Sequence, residues 1–457
     1  MKNKQINTAR AAALKTLDQV LQNGAYSNLQ LNQNLKSSQL SEVDKRLATN
    51  LVYGVLQHKL TLEYWLAPFI KGKKIESWVK TLLLMSIYQY RYLDRVPDWA
   101  VTNESIELAK QLGNPGTRRF VTGVLHAVLR QGLRDVNAIE DPIKRRSVEF
   151  SLPQWLVDEL IKQYGQSTAD AIFKAVNEPA RVSLRVNEAK TTIPQAIAIL
   201  KEQGVEVEPS QVAKAGLLVK SGDVVNTDAF MQGLVTIQDE SAMLAVESMT
   251  INPADQVLDA CAAPGGKTVQ IAAALDEKQG GSVTALDIHA HKIKLIEKNA
   301  QRLGVAERVH ACQLDARKVD EKFEDGQFDK ILVDSPCSGI GLLRRKPEIR
   351  YDKKLSDSQN LHEIQLAILN AVAPKLKKGG IMIYSTCTIL QQENDGTVQA
   401  FLAAHPEFRL LKTQTARTLK NAQTARTLKN ARTGATLTIL PSDYGSDGFF
   451  ISNLQRL

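Results

Sequence analysis

No stretch of this 457-residue chain approaches the roughly 18 consecutive apolar residues that a membrane span needs. The opening residues, Met1-Lys2-Asn3-Lys4-Gln5, run into an Ala-rich segment and lack the apolar core of a secretion signal. A cytoplasmic location with no membrane partner is the expectation. Cysteine is scarce. Only Cys261, Cys312, Cys337 and Cys387 occur, and no two form a CxxC pair. That spacing speaks against a zinc cluster or any metal site, and against a disulfide framework. With 43% hydrophobic and 23% charged residues the chain has the balance of a folded protein, and its length suggests two or three domains.

Charge is unevenly spread. Residues 1–150 carry 22 Lys and Arg against 13 Asp and Glu, whereas residues 151–457 carry 36 of each. All of the net charge of +9 therefore sits in the N-terminal third, which favours docking of a polyanion over an incidentally basic surface. Residues 6–135 have helical periodicity throughout and no strand pattern. Ile6, Ala9, Ala13, Leu14, Leu17, Val20 and Leu21 share a face, with Gly24 as a stop. Ser41 is placed to cap the next helix, with Asp44 three residues on. Further helices fit Trp78 to Tyr92, Asn103 to Leu112 and Arg118 to Leu129, with breaks at Val96-Pro97 and at Gly113 to Gly116. About five short helices in a bundle are expected over residues 1–140. The polar stretch 136–150 is expected to be a linker. A helix then starts at Ser151-Leu152-Pro153 and ends near Tyr164. A small α+β segment follows within 150–235, with strands at Arg181 to Asn187 and Val205 to Val207 around a helix from Ile193 to Gln203. Arg181 and Arg185 would share one strand face, as a phosphate contact or as an ordinary exposed face.

From 236 onward strands and helices alternate. Apolar runs at Val257 to Ala260, Val283 to Asp287, Val309 to Leu314, Ile331 to Asp334 and Ile381 to Ser385 are expected to be strands. A helix from Leu361 to Leu376 would close at Gly379-Gly380, and late strands would cover Thr436 to Leu440 and Gly448 to Ser452. This pattern predicts a doubly wound, Rossmann-like parallel sheet, whose ligands bind beyond the strand C-termini. Cys261, Asp287, Asp315, Asp334, Cys337 and Cys387 all fall there. Small residues in Asp259-Ala260-Cys261-Ala262-Ala263-Pro264-Gly265-Gly266-Lys267-Thr268 let a ligand approach the backbone, and the following helix N-terminus suits an anionic group. Asp287 could accept both ribose hydroxyls and Asp315 an adenine amino group. Each acid alone could be a loop cap, but acids at successive strand tips after a small-residue loop argue for more than capping. Asp334-Ser335-Pro336-Cys337-Ser338-Gly339 and Ser385-Thr386-Cys387-Thr388 place two thiols and a carboxylate at neighbouring strand ends. That set suggests chemistry on an electrophilic ring. Residue chemistry alone leaves open which thiol attacks. Cys261 and Cys312 fit better as small apolar packing residues.

Ala-Pro-Gly-Gly-Lys-Thr, Pro-Cys-Ser-Gly and Ser-Thr-Cys, in this order on a parallel-sheet pattern, resemble the RNA (cytosine-5) methyltransferases. Gln238-Asp239-Glu240-Ser241-Ala242 and Tyr444 to Phe450 fit the same family. Asp44 to Val55 and Thr117 to Leu125 resemble the NusB-type RNA-binding helical domain, so the bacterial small-subunit ribosomal RNA (Sun or Fmu) branch is the nearest in pattern. The resemblance implies S-adenosylmethionine as cofactor, contacted by Cys261, Ala262, Ala263, Pro264, Gly265, Gly266, Lys267, Asp287, Asp315 and Asp334. It implies Cys387 as a nucleophile adding to C6 of a cytosine in 16S ribosomal RNA, Cys337 as an aid to product release, and Asp334 at the N3 edge. A monomer acting on ribosomal RNA is expected. Ser335, Ile340 and, in Gln392-Glu393-Asn394 where Glu-Glu-Asn is usual, Gln392 depart from the usual family residues without removing a reactive group.

Two other functions stay open at this stage: the same reaction on transfer RNA, and a non-catalytic RNA-binding or ribosome-assembly factor. The basic run Arg344-Arg345-Lys346-Pro347 to Arg350 suggests a phosphate clamp beside the cytosine site. Gln414 to Ala422 is repeated unchanged as Gln423 to Ala431. A duplicated surface loop is favoured over a cationic arm.

Overall fold

The computed structural model describes residues 7–415 and 436–457, so most of the duplicated 414–431 stretch lies outside the described residues. The chain divides into two compact units. The first comprises Met1–Asn177 with Leu343–Lys353, and the second Glu178–Leu342 with Lys354–Leu457.

The first unit is helical. Helices Ala9–Asn23, Ser27–Lys36, Glu42–Gln57, Lys59–Ile70, Ser77–Tyr92, Asp98–Leu112 and Pro115–Gln131 bury Leu14, Leu17, Leu51, Val55 and Leu82 in one core. Gly24 ends the first helix in the left-handed region at φ 63°, where glycine carries no Cβ penalty. The Ser41 hydroxyl accepts from the Asp44 N–H, as its spacing predicts. Helices Ser27–Lys36 and Lys59–Ile70 were not foreseen; the second continues through Pro68, a residue that normally interrupts a helix. Pro115-Gly116 is a helix start rather than a break, because Asn114 accepts from the N–H groups of Gly116 and Thr117. The expected linker is also corrected. Asp141 caps a helix at Pro142–Phe150, which buries Val148 and leads into helices Gln154–Tyr164 and Gln166–Ala175.

Residues 343–353 take Arg344 and Arg350 out of the expected phosphate clamp, and Arg345 and Lys346 are half-buried. Arg350 is fully buried. Its guanidinium donates to the main-chain oxygens of Gln57, Ser151 and Leu343 and to Asn177 Oδ1, at 3.0–3.3 Å. Glu348 accepts from the N–H and hydroxyl of Ser27, and Tyr351 donates to the Leu56 oxygen at 2.7 Å. Arg344 is buried as well. These side chains fasten a strap within the helical unit.

The second unit begins with a four-stranded antiparallel sheet: β1 (Ser183–Val186), β2 (Glu206–Pro209), β3 (Gly216–Ser221) and β4 (Val235–Ile237), in the order β2-β3-β1-β4. Strands β3 and β4 escaped the sequence pattern. Arg185 is buried on β1 and holds no exposed phosphate-contact position. Burial and the nearby Arg302 push its pKa down to about 9. Arg181 precedes the strand and donates to the Tyr444 oxygen at 3.2 Å.

The large sheet contains β5 (Gln256–Asp259), β6 (Ser282–Asp287), β7 (Val309–Gln313), β8 (Phe328–Asp334), β9 (Leu376–Thr386), β10 (Phe408–Leu411), β11 (Leu437–Ile439) and β12 (Phe449–Arg456). Its order is β10-β12-β9-β8-β5-β6-β7, with β11 paired to β12. Strands β5 to β9 are parallel, and β12 returns antiparallel along β9. Both faces are covered, which explains the near-continuous apolar strands. On β8 and β9, Ile331, Val333, Met382 and Tyr384 join one core, and Leu332 and Ile383 the other. The helix expected to reach Leu376 runs instead from Leu355 to Val372, and Gly379-Gly380 lie inside β9. At Gly380 a Cβ would meet the Asp329 oxygen at 2.8 Å, so close strand packing explains that glycine. The strand order reverses between β5 and β8. The C-terminal ends there form the crevice in which such sheets bind ligands.

Candidate active site

Each residue singled out at a strand end reaches that end because an apolar strand stops at a polar residue. Strand β5 ends at Asp259, β6 at Asp287, β8 at Asp334 and β9 at Thr386. Strands β8 and β9 are adjacent and in register, with Asp334 opposite Ser385. Their following turns therefore bring Cys337 and Cys387 together, Sγ to Sγ at 3.2 Å. The Ser335 N–H donates to the Ser385 oxygen at 2.9 Å and carries the pairing one residue past the strand.

Asp334 is bound on both oxygens. Lys267 donates to Oδ2 at 2.7 Å and Ser385 Oγ to Oδ1 at 2.8 Å. The Lys267 ammonium also lies 5.0 Å from the centre of the Phe449 ring. Burial works against this cation, but Asp334, with Cys387 and Asp259, holds its pKa above the usual lysine value. Expected among the cofactor contacts, Lys267 is thus found paired with Asp334.

The Cys337 thiol is pushed well up, first by its hydrogen bond with Cys387, then by burial and by the charge of Glu393. Cys261 is pushed up by burial and by the strand-end carboxylates; it packs against the sheet core, as does Cys312. Asp259 lies beneath the glycine loop, where Thr268 Oγ1 donates to it at 2.6 Å and burial raises its pKa to about 7.

The loop itself turns at Gly265, at φ 99°. A Cβ there would press on Ile296 Cα at 3.1 Å, so glycine is required by backbone and by packing. At Gly266 a Cβ would meet nothing within 4 Å, and the helix Gly266–Ala274 starts there. Asp287 accepts a main-chain N–H in the turn after its strand, that of His289 at 2.9 Å, with Lys292 at 3.7 Å. Asp315 caps the short 3-10 helix Ala316–Glu321 and pairs with Arg317 at 2.6 Å. These contacts leave a cofactor role open to both without supporting one.

Several residues at the site had no assigned role in the sequence. Glu393 is fully buried and accepts from the Ser338 N–H (2.8 Å), Ser358 Oγ (3.0 Å) and Gln365 Nε2 (3.2 Å). Gln365 also donates to the Pro336 oxygen at 3.0 Å. Asn394 accepts from Thr386 Oγ1 at 2.6 Å and donates to the Thr388 oxygen at 3.0 Å. The Gly341 N–H donates to the Cys387 oxygen at 3.0 Å. The one available signal was the polar run Gln391 to Asp395 shortly after Cys387.

Residues 246–455 match the family described as 16S rRNA methyltransferase RsmB/F, residues 7–130 the NusB family, and residues 152–226 the ferredoxin-like domain of RsmF/B-like methyltransferases. The chain is 44% identical over 450 residues to the probable ribosomal RNA small subunit methyltransferase B of Bacillus subtilis, covering 98% of this chain and 99% of the relative. It is 32% identical to the ribosomal RNA small subunit methyltransferase B of Vibrio cholerae, covering 99% and 98%. The crystal structure of PH0851 has the same fold over the full length of both chains, with a TM-score of 0.83 at 22% identity. NSun6 from Pyrococcus horikoshii with SFG superposes with a TM-score of 0.57 at 21% identity, over 66% of this chain and 98% of that one. A strand-end site on a doubly wound sheet, in a chain that also carries a NusB-type helical domain, accords with these matches: the chain belongs to the small-subunit ribosomal RNA methyltransferase B family.

Proposed function

We propose that this protein transfers a methyl group from S-adenosylmethionine to C5 of a cytosine in 16S ribosomal RNA, through a covalent bond between Cys387 and C6. The observation that carries this reading is the thiol pair at 3.2 Å beside the Lys267–Asp334 ion pair, at the ends of two adjacent strands. C5 of cytosine is a poor nucleophile. A thiolate adding at C6 makes C5 enamine-like, provided that N3 receives a proton or a strong hydrogen bond. The Lys267–Asp334 pair shares a proton-bearing contact of the kind N3 needs. Methyl transfer to C5 leaves S-adenosylhomocysteine; a base then takes the C5 proton, and elimination breaks the C6–sulfur bond and returns Cys387. Cys337 assists that release.

Charge distinguishes the two thiols. Cys337 neighbours the Glu393 carboxylate, while Cys387 interacts with the Lys267 ammonium. A negative sulfur is better tolerated beside the cation, which supports Cys387 as the attacking group. The residues present fit the cofactor. The Ala262 to Gly266 loop carries small side chains, its outer side at Gly266 is free of close neighbours, and Asp287 ends the next strand. S-adenosylmethionine held there would supply the methyl group. SFG, an analogue of that cofactor, accompanies the NSun6 structure of the same fold. The target base must leave its stack to present C6, so a flipped or single-stranded cytosine is implied. The basic N-terminal third would dock the RNA. The relatives' names favour small-subunit ribosomal RNA over transfer RNA.

Bisulfite sequencing of ribosomal RNA from cells with and without the protein tests this reading. One 16S cytosine should lose its protection when the protein is absent. A methyl group found on any other atom of the base overturns it.

A further inference from the structure

Two neighbouring residues outside both cysteine turns each hold one of them. Glu393 is buried with no exposed surface, yet it carries an acid that burial would make costly to ionise. Three donors offset that cost, and one of them is the main-chain N–H of Ser338, directly after Cys337. A second, Gln365, also ties down the Pro336 oxygen, directly before Cys337. The carboxylate is thus the hub through which the Pro-Cys loop is held on both sides of its thiol. The next residue, Asn394, does the same for the other thiol. Its Oδ1 accepts from Thr386 and its Nδ2 donates to the Thr388 oxygen, the two residues flanking Cys387. The Tyr384 hydroxyl donates to the Glu393 oxygen at 2.5 Å and anchors the pair to strand β9. Ser338 Oγ and Thr388 Oγ1, at 2.8 Å, link the two turns directly.

We infer that Glu393 and Asn394 are positioning residues that together set the separation of the two thiols, Glu393 holding the Cys337 loop and Asn394 the Cys387 turn. Adjacent residues on one rigid backbone fix both turns against a common reference. The distance between the sulfurs then depends on neither loop's own stiffness. Its catalytic importance rests on the proposed roles of Cys337 and Cys387, since attack and release by two different thiols require both to reach one cytosine.

The test uses the full-length protein and reads geometry separately from turnover. Diamide, a two-electron oxidant, converts two nearby thiols to a disulfide and is itself reduced to the hydrazine. The rate of the Cys337–Cys387 cross-link, followed by peptide mass spectrometry, reports sulfur proximity whatever the thiols do in catalysis. Glu393→Ala and Asn394→Ala should each slow cross-linking at least tenfold. They should lower kcat between tenfold and a hundredfold while leaving KM for RNA and cofactor within about twofold. Wild-type cross-linking rates in both variants overturn the inference, even if activity falls. If the alanine variants do not fold, the isosteric Asn394→Asp decides, because a carboxylate keeps the contact from Thr386 and loses the amide that donates to the Thr388 oxygen. It should cross-link more slowly than wild type, and an unchanged rate overturns the inference. Full turnover by Cys387→Ser would instead remove the proposed nucleophile and leave the brace standing.

Discussion

The two cysteine turns are built from similar sequence and end in unlike surroundings. Both follow an apolar strand of the same parallel sheet, and both carry a thiol within three residues of the strand end. The Pro-Cys loop is held by a carboxylate, and its thiol is pushed up by the neighbouring sulfur, by burial and by that acid. The Ser-Thr-Cys turn is held by a neutral amide and by the Gly341 N–H, and its sulfur interacts with a lysine. Identical side chains become chemically unequal through the charge placed behind each. The difference lies in the charge each faces, a carboxylate behind Cys337 and an ammonium near Cys387.

Exchanging or removing one partner at a time would break this contrast. The largest effect is expected for Cys387→Ser, which should lower methyl transfer by more than about a thousandfold while cofactor binding, measured by calorimetry, persists. Cys337→Ala should differ in kind and leave a covalent protein–RNA species visible as a retarded band on a denaturing gel. If Cys337→Ser lost turnover and Cys387→Ser kept it, the two roles would be exchanged. Next comes Gly341→Ala. A Cβ there would lie 2.0 Å from the Gly448 oxygen and 2.7 Å from the Cys387 oxygen, so the Cys387 turn must move. A loss on the order of a hundredfold in kcat is expected, since a shift of about 1 Å suffices for that. Lys267→Met, which removes the ion-pair partner of Asp334, should cost about a hundredfold in kcat, the low end for loss of a proton-transfer contact.

The last effect is on stability rather than turnover. The Asp259 pKa is raised to about 7 in the folded protein from an ordinary value of 3.8. A raised folded pKa gives a contribution that is complete below about pH 4 and is lost as pH rises through 7. Replacement by Asn should remove this slope. The stability of wild type relative to Asp259→Asn, from denaturant titrations, should fall between pH 4 and 7 by at most about 4 kcal/mol. A flat difference across that range would show that Asp259 stays ionised.

Much of this was legible in the chain because strand ends are marked twice, by the end of an apolar run and by an acid or thiol. Val257 to Asp259, Val283 to Asp287 and Ile331 to Asp334 all turned out as strands within a few residues. What escaped depends on partners distant in sequence. Glu393 acts on Ser338, 55 residues away, and only the pairing of β8 with β9 brings them together. Arg350 lies in a basic run of the kind that normally faces solvent, and no local pattern reveals the main-chain oxygens it meets 199 and 293 residues earlier. The 136–150 stretch looked like a linker because its polar side chains outnumber its apolar ones, yet Asp141 and Pro142 are a sound helix start. At Asp315 the cap was legible from the residue type, and it forms on the short helix that follows.

The strap formed by residues 343–353 has a consequence for biosynthesis. The helical unit is not complete when residue 177 leaves the ribosome, because Arg350, Glu348 and Tyr351 belong to its interior. Those side chains are made well over a hundred residues later, on the order of ten seconds or more at ordinary elongation rates. Until then the main-chain oxygens of Gln57 and Ser151 lack the guanidinium that satisfies them. Ribosome-stalled chains ending before residue 343 should therefore be cut by protease within the first 177 residues, and chains extending well past 353 should resist. Expression of residues 1–177 alone should give a less stable fragment, which added 343–353 peptide would strengthen.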